Sequence, residues 1–149
     1  NMGYELVRIG QDCEPNRVHD VDDQNYFRLN QELIGRARVL ALWGAGVILN
    51  TDILNYTMIS NSLLASNPTI EQAHAVHKLS DETMTEWIKP FTNNNEKAVS
   101  NEHCIAFASN LENALIQIRD SPVKPDYETD ILWNFVEFLR ECSHGVWVE

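Results

Sequence analysis

Basic residues are scarce in this chain: 11 Lys and Arg stand against 22 Asp and Glu in 149 residues, a formal net charge of -11. A surface of that sign repels phosphate backbones, so nucleic acid is not expected as a partner, whereas a basic protein would be steered toward it. Long apolar runs are also missing. The longest stretch, Val39 to Leu49, is interrupted by Gly44 and Gly46 and falls well short of the roughly 20 residues that cross a bilayer. No membrane span is expected.

Cysteine is limited to Cys13, Cys104 and Cys142. With an odd number of thiols, and neither a basic start nor an apolar run across Asn1 to Ile9, reduced cysteines and a cytoplasmic location are expected, with Met2 as the natural start. The sequence contains no glycine-rich phosphate loop, zincin helix or nucleophile elbow, and no cofactor is expected.

What is present is ordinary globular composition, 44% hydrophobic and 22% charged. Neither a repeat nor a dividing linker breaks the chain, so one domain over residues 1–149 is expected. Hydrophobic periodicity predicts a mainly α fold, a bundle of about five to six helices with a small β pairing of the two ends. Tyr4, Leu6 and Ile9 suit a short strand, and Val146-Trp147-Val148 suits another. Gln11 to Gln24 reads as an acidic surface loop.

The first helix is expected from Asn25 to Trp43, capped by Asp23, because Tyr26, Leu29, Leu33, Ala37, Leu40 and Ala41 recur at helical spacing. Arg28, Glu32 and Arg36 stand four apart on its polar side, a spacing that supports a helix. Further helices are expected over Thr51 to Ala65, from Thr69 to Lys78, and from Ser80 to near Pro90. Two more are expected from Ser100 to Arg119 and from Tyr127 to Ser143. Thr92 to Asn95 reads as a turn.

Several constellations are candidates for chemistry, each with a plainer reading. Glu71, His74 and His77 are spaced like ligands of a divalent cation, but no second such pair accompanies them, and they read as a polar surface patch. His103-Cys104 and Cys142-Ser143-His144 place imidazole beside thiol, yet both cysteines fall on apolar stripes and read as small core residues. Asp20-Val21-Asp22-Asp23 begins like a calcium loop, but Asn25 and Gln31 occupy the positions where that loop needs Gly and Glu. No metal site is expected. Of the four tryptophans, Trp87 and Trp133 read as core, while Trp43 lies off the main stripe of its helix and is a candidate interface residue.

The run Tyr26-Phe27-Arg28-Leu29-Asn30, followed by Gly35, Arg38 and Ala45-Gly46-Val47-Ile48, resembles a family of small uncharacterised bacterial proteins, a domain of unknown function. Its members start with Met-Gly-Tyr, as Met2-Gly3-Tyr4 does here, and open a helix with Tyr-Phe-Arg-x-Asn. Phe91 to Asn94, Val99 to Cys104 and Phe135 to Gly145 are similar to later parts of the family. Gln31 to Ile34 replaces its usual Trp-Gly-Met. The resemblance implies a bacterial cytosolic domain and no catalytic residue.

Together these features predict a non-catalytic, acidic protein-binding module of the immunity or antitoxin kind, capping a basic partner through Asp20, Asp22, Asp23 and Trp43. The alternative is a small-ligand binder or enzyme with a polar pocket at Tyr26, Arg28 and Asn30, where a phenol, a guanidinium and an amide would converge. A homodimer joined through Trp43 is a third expectation.

Overall fold

The computed structural model of the chain describes residues 3–47, 86–91, 95–120 and 129–149. Strand β1 covers Gly3–Arg8 and β2 Tyr26–Asn30; helix α1 follows over Gln31–Gly44. After a 3-10 turn at Lys89–Phe91 come β3 (Lys97–Val99), α2 (Asn101–Asp120), α3 (Asp130–Arg140) and β4 (Val146–Val148). The strands form one antiparallel sheet in the order β2-β1-β4-β3. This overturns the expected, mainly α bundle of five to six helices: among the described residues the fold is mixed, three α-helices on one face of a four-stranded sheet.

The physical reason lies at Tyr26–Asn30, expected as the first turns of a helix. Tyr26 and Phe27 are strong strand formers, and each residue of the run has a partner in β1, from Gly3 opposite Asn30 to Val7 opposite Tyr26. Leu29 is buried beside Tyr4, so its place in the apparent helical stripe came from burial in the sheet. The helix starts one residue beyond the strand because Asn30, extended at φ -78 and ψ 169, accepts the Leu33 amide on its side-chain oxygen at 2.8 Å. That is an N-cap, and it lies at Asn30 rather than at Asp23. Arg28 therefore projects from a strand and shares no helix face with Arg36.

The two ends do meet, as the inner strands β1 and β4 of the larger sheet. Helix α2 keeps close to its expected span, its start marked by Ser100 Oγ, which accepts the His103 amide at 3.3 Å. Cys104, Ala108, Leu111, Leu115 and Ile118 are all buried, as their spacing requires. Helix α3 is shorter than expected at both ends. Helices expected over 51–65 and 69–78, most of the one beginning at Ser80, the Glu71, His74 and His77 triplet and part of the Thr92 turn lie outside the described residues.

One hydrophobic core joins sheet and helices. From the strands it takes Tyr4, Leu6, Leu29, Val99, Val146 and Val148. Phe107 is its aromatic hub, edge-on to Phe91 at 4.7 Å, to Phe135 at 5.7 Å and to Trp87 at 5.9 Å. Phe27, from the core face of β2, stacks on Phe135 at 5.4 Å. Such pairs add directional preference to area burial. Trp87 and Trp133 are half-buried against this core. At its rim Arg8 lies 4.3 Å over the Phe138 ring, donates to the Gln24 and Phe138 carbonyls, and approaches Glu141 at 3.9 Å. A cation there also complements the negative C-terminal end of α3.

Helix α1 is buried on several sides: Ile34, Ala37, Val39, Leu40, Ala41 and Leu42 are all in the core. It ends where it meets α2, and Gly44 permits that approach, since a Cβ there would overlap the Asn110 carbonyl oxygen. At Gly35, inside the same helix, a Cβ would meet nothing within 4 Å beyond its own helical backbone. The two substitutions should therefore move stability in opposite directions. Gly44→Ala should destabilise by about 1–3 kcal/mol through overpacking, and Gly35→Ala should stabilise by about 1 kcal/mol through helix propensity. Thermal and urea denaturation followed by circular dichroism check both, and a common sign would refute the packing assigned to Gly44.

Candidate functional site

The side of the sheet turned away from the helices carries its own pattern. Residues directly opposite in an antiparallel ladder share a face, and alternate residues along a strand change face. Val7 faces Tyr26 on one side and Trp147 on the other, and Trp147 faces Ala98. These four form an apolar row across all four strands. Val7 is only 6% exposed, yet it stands outside the main core cluster, as do Tyr26 and Trp147. They make a separate apolar surface on the outer face.

One row along, the residues are charged. Glu5 lies opposite Arg28, and on its other side it exchanges two backbone hydrogen bonds with Glu149, at 3.1 and 2.9 Å. Two carboxylates thus stand directly opposite each other, an arrangement that is ordinarily destabilising. The Tyr26 hydroxyl donates to Glu5 Oε1. Burial and that hydrogen bond push the Tyr26 phenol up to about 12, so it remains a donor at neutral pH. The Arg28 guanidinium rests over the backbone of Gly3, where a Cβ would overlap its Nε. Among the described residues no ion pair ties it to Glu5 or Glu149.

The loop between β1 and β2 rises beside these rows and makes a groove of about 610 Å³, with Val18, His19, Asp20 and Val21 on its loop side and Glu5, Val7, Tyr26, Trp147 and Glu149 on its sheet side. The loop is braced by its own aspartates. Asp20 Oδ1 accepts the Asp22 amide at 2.8 Å, and Asp23 accepts the amides of Asn25 at 2.8 Å and His19 at 3.2 Å. These are the short-range side-chain turns that Asp favours. Val21, at the tip between Asp20 and Asp22, is 75% exposed, the exposed large hydrophobic among the described residues.

The candidate ligand-binding and partner-binding residues all lie among the described residues. Tyr26, Arg28 and Asn30 project from the outer face of β2, brought together by strand alternation rather than by a helix start. Tyr26 and Asn30 already carry structural hydrogen bonds, to Glu5 and from the Leu33 amide. Asp20 lines the groove, Asp22 is exposed beside Val21, and Asp23 organises the loop from a half-buried position. Trp43 stands apart, at the end of α1 and half-buried against the main core. Sequence reasoning missed Glu5, Val7, Val21, Trp147 and Glu149. For Glu5 and Val7 the signal was there in the alternation Tyr4-Glu5-Leu6-Val7, which buries one set and presents the other.

The Cys/His pairs are built on core cysteines. Cys104 and Cys142 are buried, and the Cys142 thiol donates to the Phe138 carbonyl at 3.2 Å. A hydrogen bond with Cys142, then burial, push the Cys104 thiol far up. Among the described residues no group of three His, Cys, Asp or Glu is placed to hold a metal ion, and no helix is long and apolar enough to cross a membrane. A second concavity, lined by Lys89, Lys97 and His103, has opposite charge and lacks aromatic walls. No family model, no curated protein and no solved structure matches the chain.

The loop's bracing has a pH signature. The Asn25 and His19 amides hold the Asp23 carboxyl below its ordinary value. A lowered carboxyl contributes stability that is present above the unfolded value and is lost as pH falls through the folded one. Amide chemical shifts of His19 and Asn25 should therefore titrate together with a midpoint below the unperturbed Asp value of about 3.9. A midpoint at or above that value would remove Asp23 as the organiser of the loop.

Proposed function

We propose that this chain is a non-catalytic binding protein that takes a cationic segment of a protein partner into the outer groove of its sheet. The observation that carries the reading is the apolar row Tyr26, Val7 and Trp147, outside the main core and bordered by the carboxylates of Glu5, Glu149 and Asp20. Aromatic residues supply large contact area at low ordering cost, and carboxylates around them select the sign of the partner. The net charge of -11 would steer a basic protein to this surface and speed its encounter. An immunity or antitoxin protein that caps a basic partner would use such a surface. In this reading Val21 adds an apolar contact at the loop tip, and Asp22 beside it a rim charge.

The polar-pocket alternative is less well supported. Of its three residues, Tyr26 and Asn30 have polar atoms committed to Glu5 and to the α1 cap, which leaves Arg28 with its guanidinium over Gly3. The groove holds no activated nucleophile.

Binding is tested with fluorescein-labelled hepta-arginine, with hepta-glutamate as the control, by fluorescence anisotropy. The cationic peptide should bind, weaken as salt rises, and lose about tenfold in affinity with Trp147→Ala, a change of about 1.4 kcal/mol. Trp147→Ala leaves net charge untouched, so an unchanged affinity in a folded variant would mean diffuse attraction and would overturn the groove as the site.

A further inference from the structure

We infer that the groove recognises an individual lysine or arginine side chain of the partner, laid along the strands with its methylene stem between Tyr26 and Trp147 and its cationic head between Glu5 and Glu149. This rests on the proposed function above and names the chemical unit that the site reads.

Sheet geometry sets the width of the slot. Tyr26 on β2 and Trp147 on β4 flank Val7 on β1 in a single row. Their backbones are therefore two strand spacings apart, about 10 Å. An alkyl stem lying between two rings needs about 3.5–4 Å of contact distance on each side, about 7–8 Å in all. With the rings standing above their strands, that spacing would take one stem and not two side by side. Val7, which lines the groove between them, is its apolar floor.

The length of the slot comes from the strand repeat. The next row on the same face lies two residues along, about 7 Å away, and there Glu5 and Glu149 stand opposite each other. That distance suits a long side chain that keeps its stem on apolar surface and its charge at the far end, as lysine and arginine do. The ring faces of Tyr26 and Trp147 add cation–π attraction where the head passes them. Tyr26 has a second role: its hydroxyl holds Glu5 Oε1, tying that carboxylate to the slot's wall.

Electrostatics explain why a cation belongs there. Like charges directly opposite on a ladder repel, and the cationic neighbour within the sheet, Arg28, has its guanidinium over Gly3. A cation from outside would offset the Glu5–Glu149 repulsion and convert it into two charge-assisted hydrogen bonds. A neutral or acidic side chain of the same length would gain nothing at that end.

The test uses the whole chain and the N-acetyl methylamides of lysine, arginine, norleucine and acetyl-lysine as probes, titrated into ¹⁵N-labelled protein. Lysine and arginine derivatives should shift the Trp147 indole N–H and the Glu5, Val7 and Glu149 amides along one saturable curve, while norleucine and acetyl-lysine leave them in place. Glu149→Gln should weaken lysine binding about tenfold, and Trp147→Leu should do the same while keeping an apolar side chain on the sheet. A dispersed spectrum establishes that each variant is folded; Glu5→Gln serves as the second charge variant should Glu149→Gln unfold. Equal shifts from lysine and norleucine derivatives, or shifts confined to Asp20 to Asp23, would overturn the inference. If hepta-arginine still loses affinity with Trp147→Ala under that outcome, the proposed function stands without the slot; if hepta-arginine ignores Trp147, both fail.

Discussion

Alternation along β1 divides the chemistry of this molecule in two. Tyr4 and Leu6 enter the core shared with the helices, and Glu5 and Val7 face the groove. Since β1 hydrogen-bonds to β2 on one side and to β4 on the other, its register is held from both directions. A slip of one residue would bring Glu5 into the core and turn Tyr4 and Leu6 out to the groove, so groove and core are specified by the same pairing. Arg8 closes the strand by binding carbonyls at Gln24 and Phe138, which anchors the start of β2 and the end of α3 to the same point.

Much of the helical layer and the pairing of the two ends, β1 with β4, were legible in the sequence, and the outer strands β2 and β3 were not. The spacing of Cys104, Ala108, Leu111, Leu115 and Ile118 describes α2 because a long amphipathic helix repeats its signal over five turns. A strand of five residues such as Tyr26–Asn30 offers too few repeats to outvote the helix next to it. Leu29 and Leu33 lie four apart, so periodicity runs smoothly across the boundary even though one side chain is packed in a sheet and the other on a helix. The deciding cue was local: Asn30 followed three residues later by the Leu33 amide it caps. At the far end, Val146-Trp147-Val148 read as a strand, but its neighbour β3 has three residues and no distinctive composition. Long-range pairing of that kind is fixed by tertiary contact.

The candidate site divides in the same manner. Tyr26, Arg28 and Asn30 were picked for their chemistry and do share a face, although for a reason of strand geometry. Asp20 could be placed in one groove with Tyr26 only once the loop was seen to fold beside the sheet. Glu5 and Glu149 lie at opposite ends of the sequence, and only the β1–β4 pairing makes them neighbours. No local pattern could have announced that contact. Asp23 was expected to cap a helix and instead organises a turn, using the same short acceptor side chain on a different pair of amides. Asp serves either purpose, because both need only an oxygen close to a free backbone N–H.

Both walls of the groove are built from contacts within the chain. The sheet wall is backed by the aromatic core, where Phe27 on the inner face of β2 stacks against Phe135 while Tyr26 on the outer face meets the groove. Its loop wall is braced by Asp20 and Asp23 rather than by contacts with a ligand. Binding to a surface prepared in this way forfeits little ordering entropy, so a few well-placed groups suffice for useful affinity. In the proposed reading the cost would fall on the free protein, where Glu5 and Glu149 stand opposite each other on the ladder. Relief of their repulsion on binding would be a difference between the free and bound states, and only such differences contribute to selectivity. Under the proposed reading, a site arranged thus would discriminate by charge at one end of the slot and by width at the other, and the two requirements together would describe a long, unbranched, cationic side chain.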